Sequence, residues 1–237
     1  DVQVRKRKYS LRSIVNAINY LLKTGCQWRM LPKDFPHYNL VYYYFSKWKN
    51  EGVFDELFFK LHIRLRIMLG RAKCHSLDLI DSRSVKTSHH VKRCRGIDGN
   101  KKIKGRNQHL VVDTLGIPLA IVVHEANIHD SVGGLQVFEN MRFKFPRLAK
   151  IIADGGYRGK LLSDTLKATL GCELEVVLRP DECPSKFQVM PKRWIVERSF
   201  AWLENFRRLT IDYEFRAETA VAMIQLAFCF LMLNKIF

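Results

Sequence analysis

The chain has 237 residues, a hydrophobic fraction of 47% and a formal net charge of +17 at pH 7. That length and apolar content are enough for a substantial core, which argues against a disordered chain or a disulfide-dependent miniature domain. The strong positive charge favours a polyanionic partner, with nucleic acid first and an anionic membrane surface second.

The cysteines and the apolar C-terminal segment favour a reduced protein without a membrane partner. The six cysteines are scattered and form no CxxC pair, which is typical of free thiols in the cytosol. Residues 219–233 are apolar, but they include Gln225 and are fewer than the roughly 20 residues that span a bilayer. We therefore expect a buried terminal helix. No secretory signal is visible, and Asp1 in place of Met leaves an N-terminal truncation open.

Residues 1–75 are predicted to form a small all-helical N-terminal domain. Apolar residues between positions 11 and 22 follow the spacing of an amphipathic helix, and two further helices are predicted over 39–50 and 54–69. This segment holds 15 Lys and Arg against 5 Asp and Glu. Three short basic helices suggest a DNA-contacting bundle of the helix-turn-helix kind.

Residues 76–237 are predicted to form the second domain, and they begin with strands. The segment SLDLIDS has the alternation of a strand that ends in Asp81. Residues 86–106 then carry many basic residues and several glycines against Asp98 alone, which indicates a loop that binds nucleic-acid phosphates. The basic residues are Lys86, Lys92, Arg93, Arg95, Lys101, Lys102, Lys104 and Arg106.

The rest of the chain alternates between helices and strands. The predicted elements are a hairpin over 109–124, a helix over 130–144, a strand over 148–154, a helix over 160–170, a strand over 173–178, a long helix over 192–209 and the terminal helix. Three strands in a meander followed by alternating helices and strands predict an α/β fold, with a mixed sheet flanked by helices on both faces.

Three acids can meet in this topology. The segment IIADGGYRG puts Asp154 at the end of a buried strand beside two glycines. Asp81 ends the first strand, which we expect to run parallel to that strand, and Glu197 lies in a late helix that can cross the same end of the sheet. Carboxylate oxygens suit Mg²⁺ or Mn²⁺, and two such ions would activate a water or a 3′-hydroxyl in phosphodiester chemistry.

The other acids have simpler explanations. Asp78 is expected to point elsewhere, and Asp113 sits at a turn, where Asp is common for backbone reasons. Asp130 precedes an amphipathic pattern and is interpreted as a helix cap. Glu197 itself is at a position where a helix ordinarily shows a solvated acid, although its neighbours are apolar.

Two other kinds of site are weaker alternatives. A zinc site is conceivable from Cys74, His75, His89, His90 and Cys94, but their spacing fits no compact zinc module. Ser82 and Ser84 lack the GxSxG turn of a nucleophilic serine, which argues against a hydrolase triad.

Three motifs together resemble the DDE transposases of bacterial insertion sequences. They are DLIDSRSVKT (78–87), residues 99–119 with IIADGGYRG (151–159), and RWIVERSFAWLENFRRL (193–209). The resemblance is to the insertion-sequence-five group within the insertion-sequence-four-like transposases. Residues 24–57 are also similar to the helical N-terminal domain of that group, so nearly the whole chain is covered in the same order.

The resemblance implies a ribonuclease-H-like catalytic fold in which Asp81, Asp154 and Glu197 bind two Mg²⁺ ions, with Mn²⁺ as a substitute. Related members carry a Tyr-x2-Arg-x3-Glu-x6-Lys signature, which Arg193 and Glu197 match. Met190 and Glu204 stand where the tyrosine and the lysine would be. The further cations expected to contact DNA are Arg158, Arg193, Arg207 and Arg208, of which Arg207 or Arg208 would replace the lost lysine.

The implied activity is that of a transposase that nicks the ends of an insertion sequence and joins the freed 3′-hydroxyls to target DNA. The expected partners are double-stranded DNA, as terminal inverted repeats and as target, and a second copy of the chain, because two ends must be cut. The expected location is the bacterial cytoplasm, at the nucleoid when bound to DNA. Two alternatives stay open: a non-catalytic DNA-binding remnant or regulator, and a ribonuclease-H-like nuclease acting on RNA or RNA–DNA hybrids.

Overall fold

A computed structural model describes residues 8–141, 147–177 and 192–236. Within these ranges the helices are α1 (Leu11–Thr24), α2 (Tyr38–Asn50), α3 (Val53–Met68), α4 (Asp130–Met141), α5 (Lys160–Leu170), α6 (Trp194–Glu204) and α7 (Ala217–Ile236). The strands are β1 (Leu77–Lys86), β2 (Gly96–Asp98), β3 (Ile103–Asp113), β4 (Pro118–Glu125), β5 (Lys150–Ala153) and β6 (Glu173–Val176).

The first helix begins and ends where local chemistry requires. The Ser10 hydroxyl accepts a hydrogen bond of 3.1 Å from the backbone N–H of Ser13, which satisfies one of the free donors at the start of α1. Gly25 ends the helix in the left-handed conformation, and its N–H donates to the Leu21 carbonyl. Ile14 and Ile18 are buried on the face that the apolar spacing predicts.

The six strands form one mixed sheet around β1 and β3. The strand order is β2-β3-β1-β5-β6, and β4 pairs with the part of β3 that β2 leaves free. Strands β1, β3 and β4 form an antiparallel meander, while β5 runs parallel to both β1 and β6. The predicted α/β class and the ribonuclease-H-like arrangement are confirmed, including the parallel pairing of the strands that precede Asp81 and Asp154.

The prediction that β1 ends at Asp81 is wrong. The strand continues to Lys86 because β3 pairs with it over its whole length, with Asp81 opposite Leu110. The parallel neighbour β5 pairs only with residues 77–79. Asp81 therefore lies beyond the end of β5, where β1 pairs only with β3 and the other edge of the strand is left without a neighbouring strand.

The prediction that residues 86–106 form a basic loop is wrong for most of the second half of this segment. Gly96–Asp98 form β2, and β3 already begins at Ile103, so Lys104 and Arg106 lie in the sheet. The antiparallel pairing of Gly96 with Gly105 fixes these residues. Strand β2 and the start of β3 could not be recognised in this segment because it is rich in charged residues and glycine and shows only weak alternation of polar and apolar residues.

The long helix predicted over 192–209 is also shorter than expected. Helix α6 ends at Glu204, and after Asn205 and an extended Phe206 a single 3₁₀ turn covers Arg207–Leu209. The break lets the fully buried Phe206 ring pack into the core, with the Lys23 ammonium 4.0 Å from its centre. The predictions for Leu178 and Met190 lie outside the described residues.

One large apolar core joins the N-terminal helices to the sheet. It includes residues of α1, α2 and α3 together with α6, α7 and one face of the sheet, while α4 and α5 cover the other face in a second cluster. Helix α7 is long and apolar enough to cross a membrane, but half of that span is buried inside the protein, as in a core helix. The division of the chain at residue 75 stays a prediction.

Candidate active site

Asp81 is the most deeply buried of the three predicted acids. Its side chain is 11% exposed, and one carboxylate oxygen accepts a hydrogen bond of 2.7 Å from the backbone N–H of Ser82. Burial, and next the negative charge of Asp154, raise the pKa of Asp81 to about 7. This carboxylate is therefore costly to ionise until a positive charge comes close.

Asp154 follows the last residue of β5 and begins the 3₁₀ turn Gly155–Tyr157. Its carboxylate accepts a hydrogen bond of 2.9 Å from the N–H of Gly156, which caps the turn. Tyr157 at the end of the turn is fully buried and anchors it. The strand-end position that the sequence predicts for Asp154 is confirmed, and its side chain keeps 25% exposure.

Helix α6 carries Glu197 and Arg193 to the same edge of the sheet. The helix is held against the β3–β4 turn, where the Ser199 hydroxyl donates to the Gly116 carbonyl at 2.7 Å and Arg198 donates to the Leu115 carbonyl at 3.0 Å. Val196, three residues before Ser199 on the same side of the helix, is buried in the core. Glu197 remains 55% exposed.

Arg193 joins the three acids. Its Nε lies 3.0 Å from Glu197 Oε1 and 3.8 Å from Asp81 Oδ2, and its Nη1 lies 3.9 Å from Asp154 Oδ2. The acids therefore surround one guanidinium. Asp81, Asp154 and Arg193 also line a narrow cleft beside Ile152.

The Arg193 guanidinium occupies the position between Asp81, Asp154 and Glu197 where a cation would neutralise their charges. Among the described residues, no group of three His, Cys, Asp or Glu side chains is spaced to hold a metal ion as it stands. The raised pKa of Asp81 and the contacts of Arg193 show that this edge attracts positive charge. Hard oxygen donors of this kind fit Mg²⁺ or Mn²⁺, provided that Arg193 moves aside.

Asp130 is a fourth acid at this edge, which the sequence analysis interpreted as a helix cap. That interpretation is wrong: His129 Nδ1 accepts the N–H of Ser131 at 3.2 Å instead. The Asp130 carboxylate turns inward and accepts from Ser82 Oγ at 2.8 Å and from Asn107 Nδ2 at 2.9 Å. Nothing in the local sequence around Ser82 in β1 or around Asp130 at the start of α4 indicates that these two residues would be in contact.

Most of the predicted DNA-contacting cations are accessible. The exposed ones are Lys86, Lys92, Arg93, Lys101, Lys102, Lys104, Arg158 and Arg207, and Arg95 and Arg193 are half-buried. Arg158 follows the turn of Asp154, and its Nε donates to the Gly155 carbonyl at 2.8 Å. That contact leaves the guanidinium at the rim of the candidate site.

Two predicted DNA contacts are wrong because the side chains are used inside the protein. Arg106 is fully buried, with Nη1 2.9 Å from Asp212 Oδ2 and further hydrogen bonds to backbone carbonyls. Arg208 is 8% exposed and binds Glu214 Oε1 at 2.7 Å. The Arg106 guanidinium holds the segment before α7 against β3, and the Arg208 guanidinium is held within that segment and at the Cys26 carbonyl. Neither can reach a phosphate.

Comparison with known proteins agrees with this architecture. Residues 72–233 match the family model described as a transposase DDE domain, and residues 2–58 match the model of a putative transposase of the IS4/5 family. The chain is also 30% identical over 141 residues to a putative transposase for insertion sequence element IS402 from Burkholderia cepacia. That alignment covers 56% of this chain and 64% of the Burkholderia protein. The chain therefore belongs to the DDE transposases of the IS4/5 type.

Proposed function

We propose that this protein cuts DNA at the ends of an insertion sequence and joins the freed ends to target DNA. The observation that carries the proposal is the convergence of Asp81, Asp154 and Glu197, from β1, the end of β5 and α6, on one guanidinium. Membership of the DDE transposases makes phosphodiester chemistry on DNA the natural use of such a site.

Divalent metal ions are the implied cofactor of this family, and the three acids would hold two Mg²⁺ ions, or Mn²⁺ in their place. When bound, the ions would supply the Lewis acidity that activates a water or a 3′-hydroxyl and stabilises the leaving oxygen. The contribution of the chain is positional. Asp81 is fixed by its strand and by the Ser82 N–H, and Asp154 by its capped turn.

Arg193 would change partners during this reaction. In the absence of ions it neutralises the acids, and it must leave them before a divalent ion can take their oxygens. The scissile phosphate is the natural new partner, because a guanidinium binds phosphate as well as carboxylate. Arg158, at the rim, would hold a neighbouring phosphate.

The exposed basic residues would hold the flanking duplex. The seven predicted cations from Lys86 to Lys104 have exposed or half-buried side chains. Contacts of this type bind the phosphate backbone, position the DNA without reading its sequence, and weaken as salt rises. The basic helices of residues 1–75 would hold DNA in the same way.

The assembly and location follow from the proposed reaction. Two ends of one element must be cut together, so we expect a dimer on DNA. We expect the protein to act in the bacterial cytoplasm, at the nucleoid.

The test is cleavage of DNA that carries the terminal sequences of the element. With Mg²⁺ the protein should nick this DNA and leave 3′-hydroxyl ends. Asp154→Asn should abolish nicking and keep DNA binding, while Asp164→Asn, an exposed acid on α5, should change neither. Nicking by Asp154→Asn at the normal rate would contradict the assigned site. DNA binding without nicking by the unmodified protein would favour a non-catalytic regulator.

A further inference from the structure

Asp130 is held at the candidate site by one of its two carboxylate oxygens. Asp130 Oδ1 accepts from Ser82 Oγ and Asn107 Nδ2 and lies 3.8 Å from His109 Nε2. Ser82 also gives its backbone N–H to Asp81, so the two acids are tied to one residue of β1. The Asp130 side chain is 28% exposed.

The second oxygen, Asp130 Oδ2, faces the same space as Asp154. A Cβ atom at residue 156 would lie 3.0 Å from Asp130 Oδ2 and 3.1 Å from Asp154 Oδ1. The two oxygens are thus within twice that distance of each other, on either side of the place that Gly156 leaves empty. A glycine at this position keeps open a gap between two carboxylates.

The donors around Asp130 are neutral. His124 Nδ1 faces the Glu125 carbonyl at 2.8 Å and must donate its proton there, so His124 Nε2 accepts from His109 Nε2 at 2.7 Å. His109 Nδ1 then accepts the hydroxyl proton of Tyr157 at 2.6 Å. Burial, with the neighbouring His124, lowers the pKa of His109 to about 3, which agrees with a neutral ring.

Close packing fixes this chain of hydrogen bonds beneath the site. A Cβ at Gly133, in the first turn of α4, would lie 2.4 Å from His124 Nε2 and 2.5 Å from His109 Nε2, so only glycine lets α4 approach the two rings. Tyr157 belongs to the same turn as Asp154. The network therefore fixes Asp130 and the Asp154 turn in one rigid unit, and it supplies no positive charge to either.

We propose that Asp130 is a fourth carboxylate of the metal site, which offers Oδ2 to a divalent ion shared with Asp154. The proposal rests on the proposed function, because it assumes that Asp154 holds an ion. In the described part of the chain, the polar contacts of Asp130 are with Ser82, Asn107 and His109, all uncharged. A hard oxygen that has no cationic partner and faces a second carboxylate across a gap is suited to Mg²⁺ or Mn²⁺.

The test is Mn²⁺ binding by the DNA-free protein, followed as loss of the electron paramagnetic resonance signal of free Mn²⁺. Asp130→Asn keeps an acceptor for Ser82 and Asn107 and removes the charge. It should raise the dissociation constant on the order of tenfold or more. The matched control Asp164→Asn should leave it unchanged. An unchanged constant for Asp130→Asn, with binding lost in Asp154→Asn, would overturn this inference and spare the proposed function. Unchanged binding in Asp154→Asn would overturn both.

A second variant tests the geometry without changing a charge. Gly156→Ala puts a methyl group between Asp130 Oδ2 and Asp154 Oδ1, so it should also weaken Mn²⁺ binding by about tenfold. Thermal unfolding in a chelator separates folding from binding for every variant. If Asp130→Asn does not fold, the proposal is tested by Gly156→Ala alone. Wild-type Mn²⁺ affinity in a folded Gly156→Ala protein would contradict the proposal that Asp130 and Asp154 share an ion.

Discussion

The buried carboxylates of the paired strands β1 and β3 differ in how their charges are neutralised: two are paired inside the protein, and Asp81 is not. Asp113, at the end of β3, is fully buried; it accepts from His62 Nε2 at 3.1 Å and from Arg66, and its other oxygen accepts the N–H groups of Leu115 and Ile117. Opposite it in the sheet, Asp78 is fully buried and pairs with His75 Nδ1 at 2.6 Å. We call these five side chains, Asp78, Asp113, His62, Arg66 and His75, the paired cluster.

Three residues further along β1, Asp81 has far fewer partners. It has one backbone donor at 2.7 Å and a guanidinium at 3.8 Å. Burial by itself would raise the pKa of Asp113, but the hydrogen bonds from His62 and Ile117 and the charge of Arg66 outweigh it and hold that pKa below the usual value. At Asp81 the partners are too few, and the pKa rises to about 7.

The comparison separates acids that the protein pairs in its interior from an acid that it leaves at a cleft. A raised pKa does not separate them by itself, because burial also raises the pKa of the paired Asp78 to about 6. The paired cluster links α3 to the sheet, so its charges stabilise the junction of the N-terminal helices with the strands. In the candidate site, Asp81 lines a cleft and is incompletely neutralised by the protein itself. A group that is costly to ionise at a cleft is a candidate for binding a ligand of opposite charge.

The largest expected effect is on catalysis, at the most exposed member of the candidate site. Glu197→Gln keeps a partner for Arg193 but removes a ligand charge, so Mg²⁺-dependent cleavage should fall on the order of a thousandfold, with little change in stability. Glu204→Gln, an exposed acid on the same helix, is the control. Equal cleavage rates of the two variants in a nicking assay would remove Glu197 from the site.

A substitution in the paired cluster should lower the stability of the protein rather than act on catalysis directly. Asp113→Asn leaves the buried Arg66 guanidinium without its carboxylate, and the free energy of unfolding should fall by about 3–5 kcal/mol. Denaturant unfolding measures this, with Asp34→Asn, an exposed acid before α2, as the reference. A loss below about 1 kcal/mol, as for a surface ion pair, would mean that the cluster does not fasten α3 to the sheet.

Removing the charge of Asp81 should raise the free energy of unfolding, whereas removing that of Asp113 lowers it. The folded-state pKa of about 7 lies well above the usual pKa of an aspartate, so the energetic cost of ionised Asp81 is absent below about pH 4 and complete above pH 7. Asp81→Asn should therefore stabilise the metal-free protein at pH 8 by roughly 2–4 kcal/mol, and by less at pH 5. Unfolding in a chelator at both pH values checks this. Destabilisation at pH 8 would show that Asp81 is as well paired as Asp113.

The smallest expected effect is on DNA binding, and it compares an exposed with a buried cation of β3. Lys104 is exposed, whereas Arg106, two residues on, is buried against Asp212. Lys104→Ala should weaken DNA binding and lower the slope of affinity against salt by about one unit, without loss of stability. Arg106→Ala should lower stability and leave the salt dependence of the folded protein unchanged. Binding titrations at several salt concentrations separate the two, and a reduced salt slope for folded Arg106→Ala would restore it as a DNA contact.

Local patterns were enough to predict most of the helices and the position of Asp154 at the end of a strand. Asp154 is recognisable because an apolar run ends in an acid and two glycines, and helix α5 has the predicted bounds, since its apolar spacing and terminal Gly171 are local signals. The parallel pairing of β1 with β5 follows from the order of the elements.

What could not be predicted depends on partners far away in the chain. Arg106 resembles its basic neighbours in sequence, and only Asp212, 106 residues later, makes it an interior residue. Asp130 satisfies the local rule for a helix cap, whereas Ser82 and Asn107, from two strands, decide where its carboxylate points. The position of Arg193 among the acids likewise requires three separate elements to meet.

The claim that divalent ions at these acids act on DNA is tested most directly at the scissile phosphate. A sulfur atom in place of a non-bridging oxygen binds Mg²⁺ poorly and is better accepted by the softer Mn²⁺. Cleavage of such a substrate should fall about tenfold or more in Mg²⁺ and recover in Mn²⁺, relative to the all-oxygen DNA. Equal loss in both metals, or no loss in Mg²⁺, would contradict direct contact between the ions and the phosphate.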